Sequence, residues 1–307
     1  MTGLHALPRV RRRPLALLRL RLPALGRLRD GRLVAVLLVL ALAVVVLLNQ
    51  FAPTRSAYSA RITDSTNTAG TAPYFTCAGA VSADASGALF AYRLGEASGS
   101  RTAADASGKA ANGTYQGSMV AATPNPNGCV RDTGSAYVLN GSTSFVSTPR
   151  AYTNPTTFSE EVWFRTTVAG GLLIGFGSSQ TGTSGQHDRQ VYVNASGQLV
   201  FGSYWNNTTQ VVTSPQTVTD GAWHHVVSTM SPANGMRLYL DGSLVASNAA
   251  YTQPENATGY FKIGYDTIAG WPGAPSNSFF TGSMRFAAVY GTELTAAQVA
   301  AHAAAGR

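Results

Sequence analysis

The stretch WHHVVSTMSPANGMRLYLDGSLVAS, Trp223 to Ser247, leaves the chain little choice of fold. Trp223, His225 and Val227 alternate with His224, Val226 and Ser228, and successive side chains of a strand point to opposite faces of its sheet. SPANG then turns the chain, MRLYLD runs back, and Asp241-Gly242 is a two-residue hairpin signal ahead of SLVAS. The expectation is three antiparallel strands in a row. It also argues against His224 and His225 as a metal-binding or catalytic pair, because adjacent strand residues cannot reach one atom without a bulge.

The same texture of short β-rich runs parted by Gly, Asn, Asp and Ser extends from about Cys77. LFAYRLG, AYVLNG, EVWFRTT, GLLIGFG, RQVYVNASGQLVFGSYW, GYFKIGYD and MRFAAVYG are examples. Regular short strands with turn signals predict an all-β sandwich or barrel of roughly 230 residues. Strands do not alternate with long helical patterns, which disfavours a parallel α/β fold. One helix is expected, at the end: ELTAAQVAAHAAAG carries Thr295 and Gln298 at capping-box spacing, Leu294 and Val299 as a hydrophobic staple, and Gly306 as terminator.

Charge separates the N-terminus from the rest. The net charge is +8, yet residues 1–32 hold nine arginines and one aspartate, and the remainder is neutral. No basic face is left for nucleic acid. Behind the arginines, LVAVLLVLALAVVVLL (Leu33–Leu48) is free of charge, a signal peptide or a membrane anchor. Ala57 and Ser59 offer the small residues of a cleavage site. The expected organisation is a basic cytoplasmic segment 1–32, an export or anchor helix 33–50, a linker 51–76 and an extracytoplasmic domain 77–307, anchored at the membrane or secreted. In an oxidising compartment the lone pair Cys77 and Cys129 is most simply a disulfide, with free thiols the alternative.

The pattern DGAWHHVV followed by LYLDGSLVA resembles the laminin-G-like domains of the concanavalin A-like lectin/glucanase superfamily. YRLGEASGSRTAADASGKAANGTY, FSEEVWFRT and the closing FTGSMRFAAVYGTELTAAQVAAHAAAG extend the resemblance over about residues 85–307. The Ala/Arg/Gly-rich composition and RSAYSARITDSTNTAGTAPYFTC are similar to those of exported actinobacterial surface proteins. The resemblance implies a jelly-roll β-sandwich of two antiparallel sheets with a short C-terminal helix. It leaves function open, since one fold hosts many activities.

Glucanases of this superfamily place alternating carboxylates, Glu-x-Asp-x-x-Glu, on one strand, as glycoside hydrolysis requires. That run is missing, and Glu160 and Glu161 are adjacent, so they face opposite sides. There is no Gly-x-Ser-x-Gly elbow, His-Glu-x-x-His helix or phosphate loop. His187 reads as a solvated loop histidine. A non-enzyme is expected. Laminin-G-like domains often hold calcium, and Asp105 matches the family's loop aspartate, whereas Arg285 stands where relatives have aspartate. Either calcium binds, or Arg285 stands in for the cation and pairs with Asp105, or Arg285 is a surface residue. For ligand binding, exposed aromatic rings with polar neighbours grip sugar faces. The candidates are Trp205 with Asn206 and Asn207, and Trp271 with Asp266, with Asp188 and Arg189 as further polar contacts; Trp163 and Trp223 are expected in the core. Two readings remain: a carbohydrate-binding or adhesive module whose partner is an extracellular glycan, or a structural surface protein that self-assembles or binds another exported protein.

Overall fold

The computed structural model describes residues 31–50, 63–64, 67–68, 73–122 and 128–307. The arginine-rich stretch before Gly31, the cleavage positions Ala57 and Ser59, and most of the linker lie outside the described residues. In the unit Met1–Ala69, α1 (Gly31–Gln50) covers the expected apolar segment, and β1 (Thr63–Asp64) pairs with β2 (Asn67–Thr68). Among the described residues no helix is long and apolar enough to cross a membrane.

The unit Gly70–Arg307 begins with α2 (Cys77–Ala83) and β3 (Ala88–Tyr92). Short strands follow: β4 (Thr102–Ala103), β5 (Gly113–Gln116), β6 (Val120–Ala122), β7 (Ala136–Asn140), β8 (Phe145–Ser147) and β9 (Tyr152–Thr153). Next come β10 (Phe158–Arg165), β11 (Leu172–Gly177), β12 (His187–Val193), β13 (Gln198–Trp205) and β14 (Thr208–Thr217). The chain ends with β15 (Trp223–Ser231), β16 (Gly235–Leu240), β17 (Ser243–Asn248), β18 (Thr258–Ile263), β19 (Thr281–Tyr290) and α3 (Ala296–Ala305). Two antiparallel sheets result. Sheet one runs β17-β16-β15-β10-β19-β7-β6 with β3 also on β19, and sheet two runs β14-β13-β12-β11-β18-β8-β5-β4 with β9 on β18. The β15-β16-β17 meander is the one the hairpin signals predict, with Asp241 at φ 55° and Gly242 at φ 86° in the turn.

Alternation sorts side chains into three layers. From β10, Phe158, Val162 and Phe164 enter the core between the sheets and meet Ile174, Val191, Phe201 and Phe261 of sheet two. Burying one such side chain stabilises by about 1.5–3 kcal/mol. Trp163 points the other way, into a second cluster with Val227, Tyr239, Leu294 and Val299, where α2 and α3 cover sheet one. A third cluster, Leu172, Tyr192, Val200, Ile268 and Trp271, lies on the outer face of sheet two. Trp223, expected in the core, is half-buried at the edge of the second cluster.

The end of the chain is locked down. Thr295 and Gln298 form the expected capping box, and Leu294 and Val299 are buried in one cluster. Gly306 terminates α3 at φ −92°, so it is not the left-handed cap that glycine usually supplies. Its need is spatial: a Cβ there would sit 2.1 Å from the Trp163 ring. Cys77 and Cys129 are disulfide-bonded, with their Cα atoms 5.7 Å apart. The bond ties α2 to the loop 128–133, whose Asp132 accepts the Cys77 and Ala78 N–H groups at the start of that helix. Such a cross-link contributes about 2–4 kcal/mol.

Candidate functional site

The paired histidines part company as expected. His224 lies between Asp241 and Asp220, at 2.9 and 3.2 Å. His225 is buried, packs its ring on Trp163, and meets the Glu161 carboxylate at 2.8 Å. Glu161 also receives Tyr290 Oη at 2.8 Å and His302 Nδ1 at 3.0 Å, and His302 Nε2 continues to Asp84 at 2.9 Å. Burial alone would raise the Glu161 carboxyl, but His302 and His225 hold it well below the usual carboxylate range. Burial would lower His302, but Glu161 and Asp84 outweigh it and raise the imidazole to about 9. This chain of charges anchors α3 to sheet one. Glu160 faces the core, where burial lifts its carboxyl well above the usual range and Ser228 donates to it.

The calcium reading does not fit the residues. Asp105 accepts the N–H groups of Ala91, Ser107, Lys109 and Ala111 and the Ser107 hydroxyl. A carboxylate offers about four lone-pair sites, so these donors occupy the oxygens a cation would need. The expected Arg285–Asp105 pair is not formed either. Arg285 is buried and donates to the carbonyls of Gly128, Cys129, Asp132 and Thr133. Carbonyl oxygens are ligands a hard cation takes, and here a guanidinium fills them. Among the described residues, one trio could gather metal ligands, Cys77, Cys129 and Asp132, and its sulfurs are joined in the disulfide.

Three of the expected polar contacts to a ligand are corrected. Asp188 and Arg189 are buried: Asp188 accepts the N–H groups of Arg189, Tyr204 and Glu255, and its carboxylate lies 3.1 Å from Arg189 Nη1. They lie in β12. Arg189, at φ 52°, donates to the Pro155 and Glu255 carbonyls and lies over the Phe176 ring. Asp266 is buried as well, 2.9 Å from Lys262 Nζ and 2.7 Å from Ser184 Oγ. These groups serve the fold and are not free to meet a ligand.

The tryptophans divide. Trp205 is 41% exposed at the tip of the β13–β14 hairpin, whose turn residues Asn206 and Asn207 adopt φ 51° and 59°. Such left-handed pairs suit a two-residue turn. Trp271 is only 7% exposed. Its ring lies against the backbone of Gly202, where a Cβ would come within 2.3 Å, and near Tyr192 and His187.

Beside Trp271 the outer face of sheet two carries a groove of about 370 Å³. Trp271, His187, Gln186, Tyr204, Thr209 and Glu255 line it. His187 is not the solvated loop residue expected: it opens β12 half-buried, burial lowers its pKa, and its Nδ1 has no hydrogen-bond partner among the described residues. Burial, with Asp188 nearby, raises the Glu255 carboxyl. Tyr204 donates to Asn207 Oδ1 at 3.2 Å. The groove thus combines aromatic surface with hydroxyl, amide and imidazole groups, the chemistry that holds a polar ring with apolar faces. Glu255 is the one carboxylate in the lining, so the pair needed for glycoside hydrolysis is not assembled there. A cavity of about 60 Å³ between α2 and sheet one has room only for a few waters.

A model of the Laminin_G_3 family, described as concanavalin A-like lectin/glucanases superfamily, matches residues 140–300. No curated protein matches the chain. Among solved structures, one of botulinum neurotoxin type C, described as dependent on two ganglioside molecules to get into cells, aligns at a TM-score of 0.50 and 14% identity. That alignment covers 71% of this chain and 51% of that one. The binding domain of botulinum neurotoxin DC, in complex with rat synaptotagmin II, aligns at 0.48 and 13% identity, over 71% and 51%. A SAP-like pentraxin from Limulus polyphemus aligns at 0.40 and 18% identity, over 59% and 77%. The chain spans about half the length of the neurotoxin chains it matches. At these identities the likeness is one of fold.

Proposed function

We propose, from the premise that the chain belongs to the Laminin_G_3 family of the concanavalin A-like lectin/glucanases superfamily, that it is a non-catalytic glycan-binding module on the outer side of the cytoplasmic membrane. The groove beside Trp271 carries this reading. It is open, of a size for one or two sugar rings, and lined by Tyr204 and Trp271 with hydroxyl and amide groups beside them. Binding the full chain to arrayed oligosaccharides tests it. Tyr204→Ala removes a ring and a hydroxyl from the lining and should weaken the captured glycan roughly tenfold, with little change in melting temperature because Tyr204 is only half-buried. An array on which no oligosaccharide binds would end the reading in favour of assembly with a protein partner.

Export rests on the sequence. The uncharged segment Leu33–Leu48 reads as an export signal, and the nine arginines ahead of it resist translocation, which supports an N-terminus inside and the sandwich outside, anchored or secreted. A reporter fused after Arg307 should be active only when it requires the extracytoplasmic compartment; activity confined to the cytoplasm refutes this orientation.

A further inference from the structure

Glu255 stands apart from the other acidic residues of the sandwich. Asp84, Glu96, Asp132, Glu161, Asp220, Asp241 and Glu293, like the carboxylates described above, each hold at least one donor. The Glu255 backbone is engaged, its N–H with Asp188 and its carbonyl with Arg189. Its carboxylate receives no hydrogen bond or ion pair among the described residues. It lines the groove beside Tyr204, His187 and Trp271. No lysine or arginine lines that groove, and the cations nearest in the fold are committed: Arg189 to Asp188, Lys262 to Asp266. The groove therefore presents one formal charge, negative, among aromatic rings. A carboxylate beside aromatic rings is the arrangement that receives an ammonium group, through a charge-assisted hydrogen bond and the negative ring faces.

Resting on the glycan-binding reading, we infer that the groove selects amino sugars: a free ammonium on the bound ring pairs with Glu255, and glycans bearing carboxylates are repelled. Glu255 is the specificity-determining residue. Titrating the full chain with β-1,4-linked glucosamine oligomers, their N-acetylated forms and a uronic acid oligomer tests this. At mildly acidic pH the free-amine form should bind roughly three- to tenfold tighter than the acetylated form, the size of one charge-assisted contact at a partly exposed site. The uronic acid oligomer should bind weakest, and added salt should shrink the preference. Glu255→Gln should bring the amine and acetylated forms within about twofold of each other, the loss falling mainly on the amine form. Glu255→Ala should do the same. Equal binding of amine and acetylated forms by the unaltered chain, or a preference that survives Glu255→Gln, overturns the inference and leaves the glycan reading standing. A lysine peptide that binds in place of every oligosaccharide, with the same dependence on Glu255, assigns the ammonium to a protein and overturns it too. Failure of every probe defeats the glycan reading, and this inference with it.

Discussion

Replacing Glu161 with alanine should destabilise the sandwich by about 3–5 kcal/mol, the cost of breaking a buried charged network. The carboxylate is the junction of four elements: β10 supplies it, β15 brings His225, β19 brings Tyr290 and α3 brings His302. His302 has carboxylates at both ring nitrogens, Glu161 and Asp84, so both nitrogens donate and the ring is an imidazolium. Taking away Glu161 leaves that cation with Asp84 alone and strips His225 and Tyr290 of their buried acceptor. The pH dependence has a definite sign. A pKa raised on folding, from 6.5 to about 9 for His302, gives stability that is fully present below pH 6.5 and lost as the pH rises towards 9. His224, raised by Asp241 and Asp220 against its burial, acts in the same direction. Urea denaturation at several pH values should show unfolding free energy falling over that window, and the fall should shrink in Glu161→Gln, where His302 loses its main counter-charge. A flat profile across the window, or an alanine variant as stable as the parent, would show that the network contributes little.

The local part of this architecture is written plainly in the sequence. Alternation in WHHVV decides that His225 turns towards Trp163 and His224 away from it, the Asp241-Gly242 turn fixes the meander, and the Thr295–Gln298 spacing marks the start of α3. These features depend on neighbours within a few residues. What sequence reasoning missed depends on distant ones. Asp188 and Arg189 read as polar ligand contacts until the left-handed backbone at Arg189 accompanies its burial and brings Asp188 to Glu255, 67 residues on. Arg285 finds its carbonyls on a loop some 150 residues earlier, a partnership that spacing cannot announce. His187 carried one usable signal: HDRQVYV is a β-rich run, and its first residue belongs to the strand as much as to the loop. Glu255, in a Pro- and Asn-flanked loop, carried none, because its meaning lies in its carboxylate lacking a partner among the described residues while the other carboxylates of the sandwich each have one.

The two tryptophans first read as equivalent sugar platforms should respond to alanine in opposite ways. Trp271→Ala should destabilise the domain by about 3–5 kcal/mol, as loss of a buried aromatic does. The ring fills the space above Gly202, a position where no side chain could fit beneath it, and packs with Leu172, Tyr192, Val200 and Ile268. Its removal uncovers that apolar layer on sheet two and collapses one wall of the groove, so binding and stability should fall together. Trp205→Ala should leave unfolding within about 0.5 kcal/mol of the parent, as for an exposed residue. Trp205 also lies on the strand face opposite Tyr204, which lines the groove, so its loss should weaken a bound oligosaccharide far less than Tyr204→Ala does. Thermal unfolding and titration of the three variants separate the roles of the rings. If Trp271→Ala melted with the parent while Trp205→Ala abolished binding, the ligand would sit on the β13–β14 hairpin tip, and the groove would not be the site.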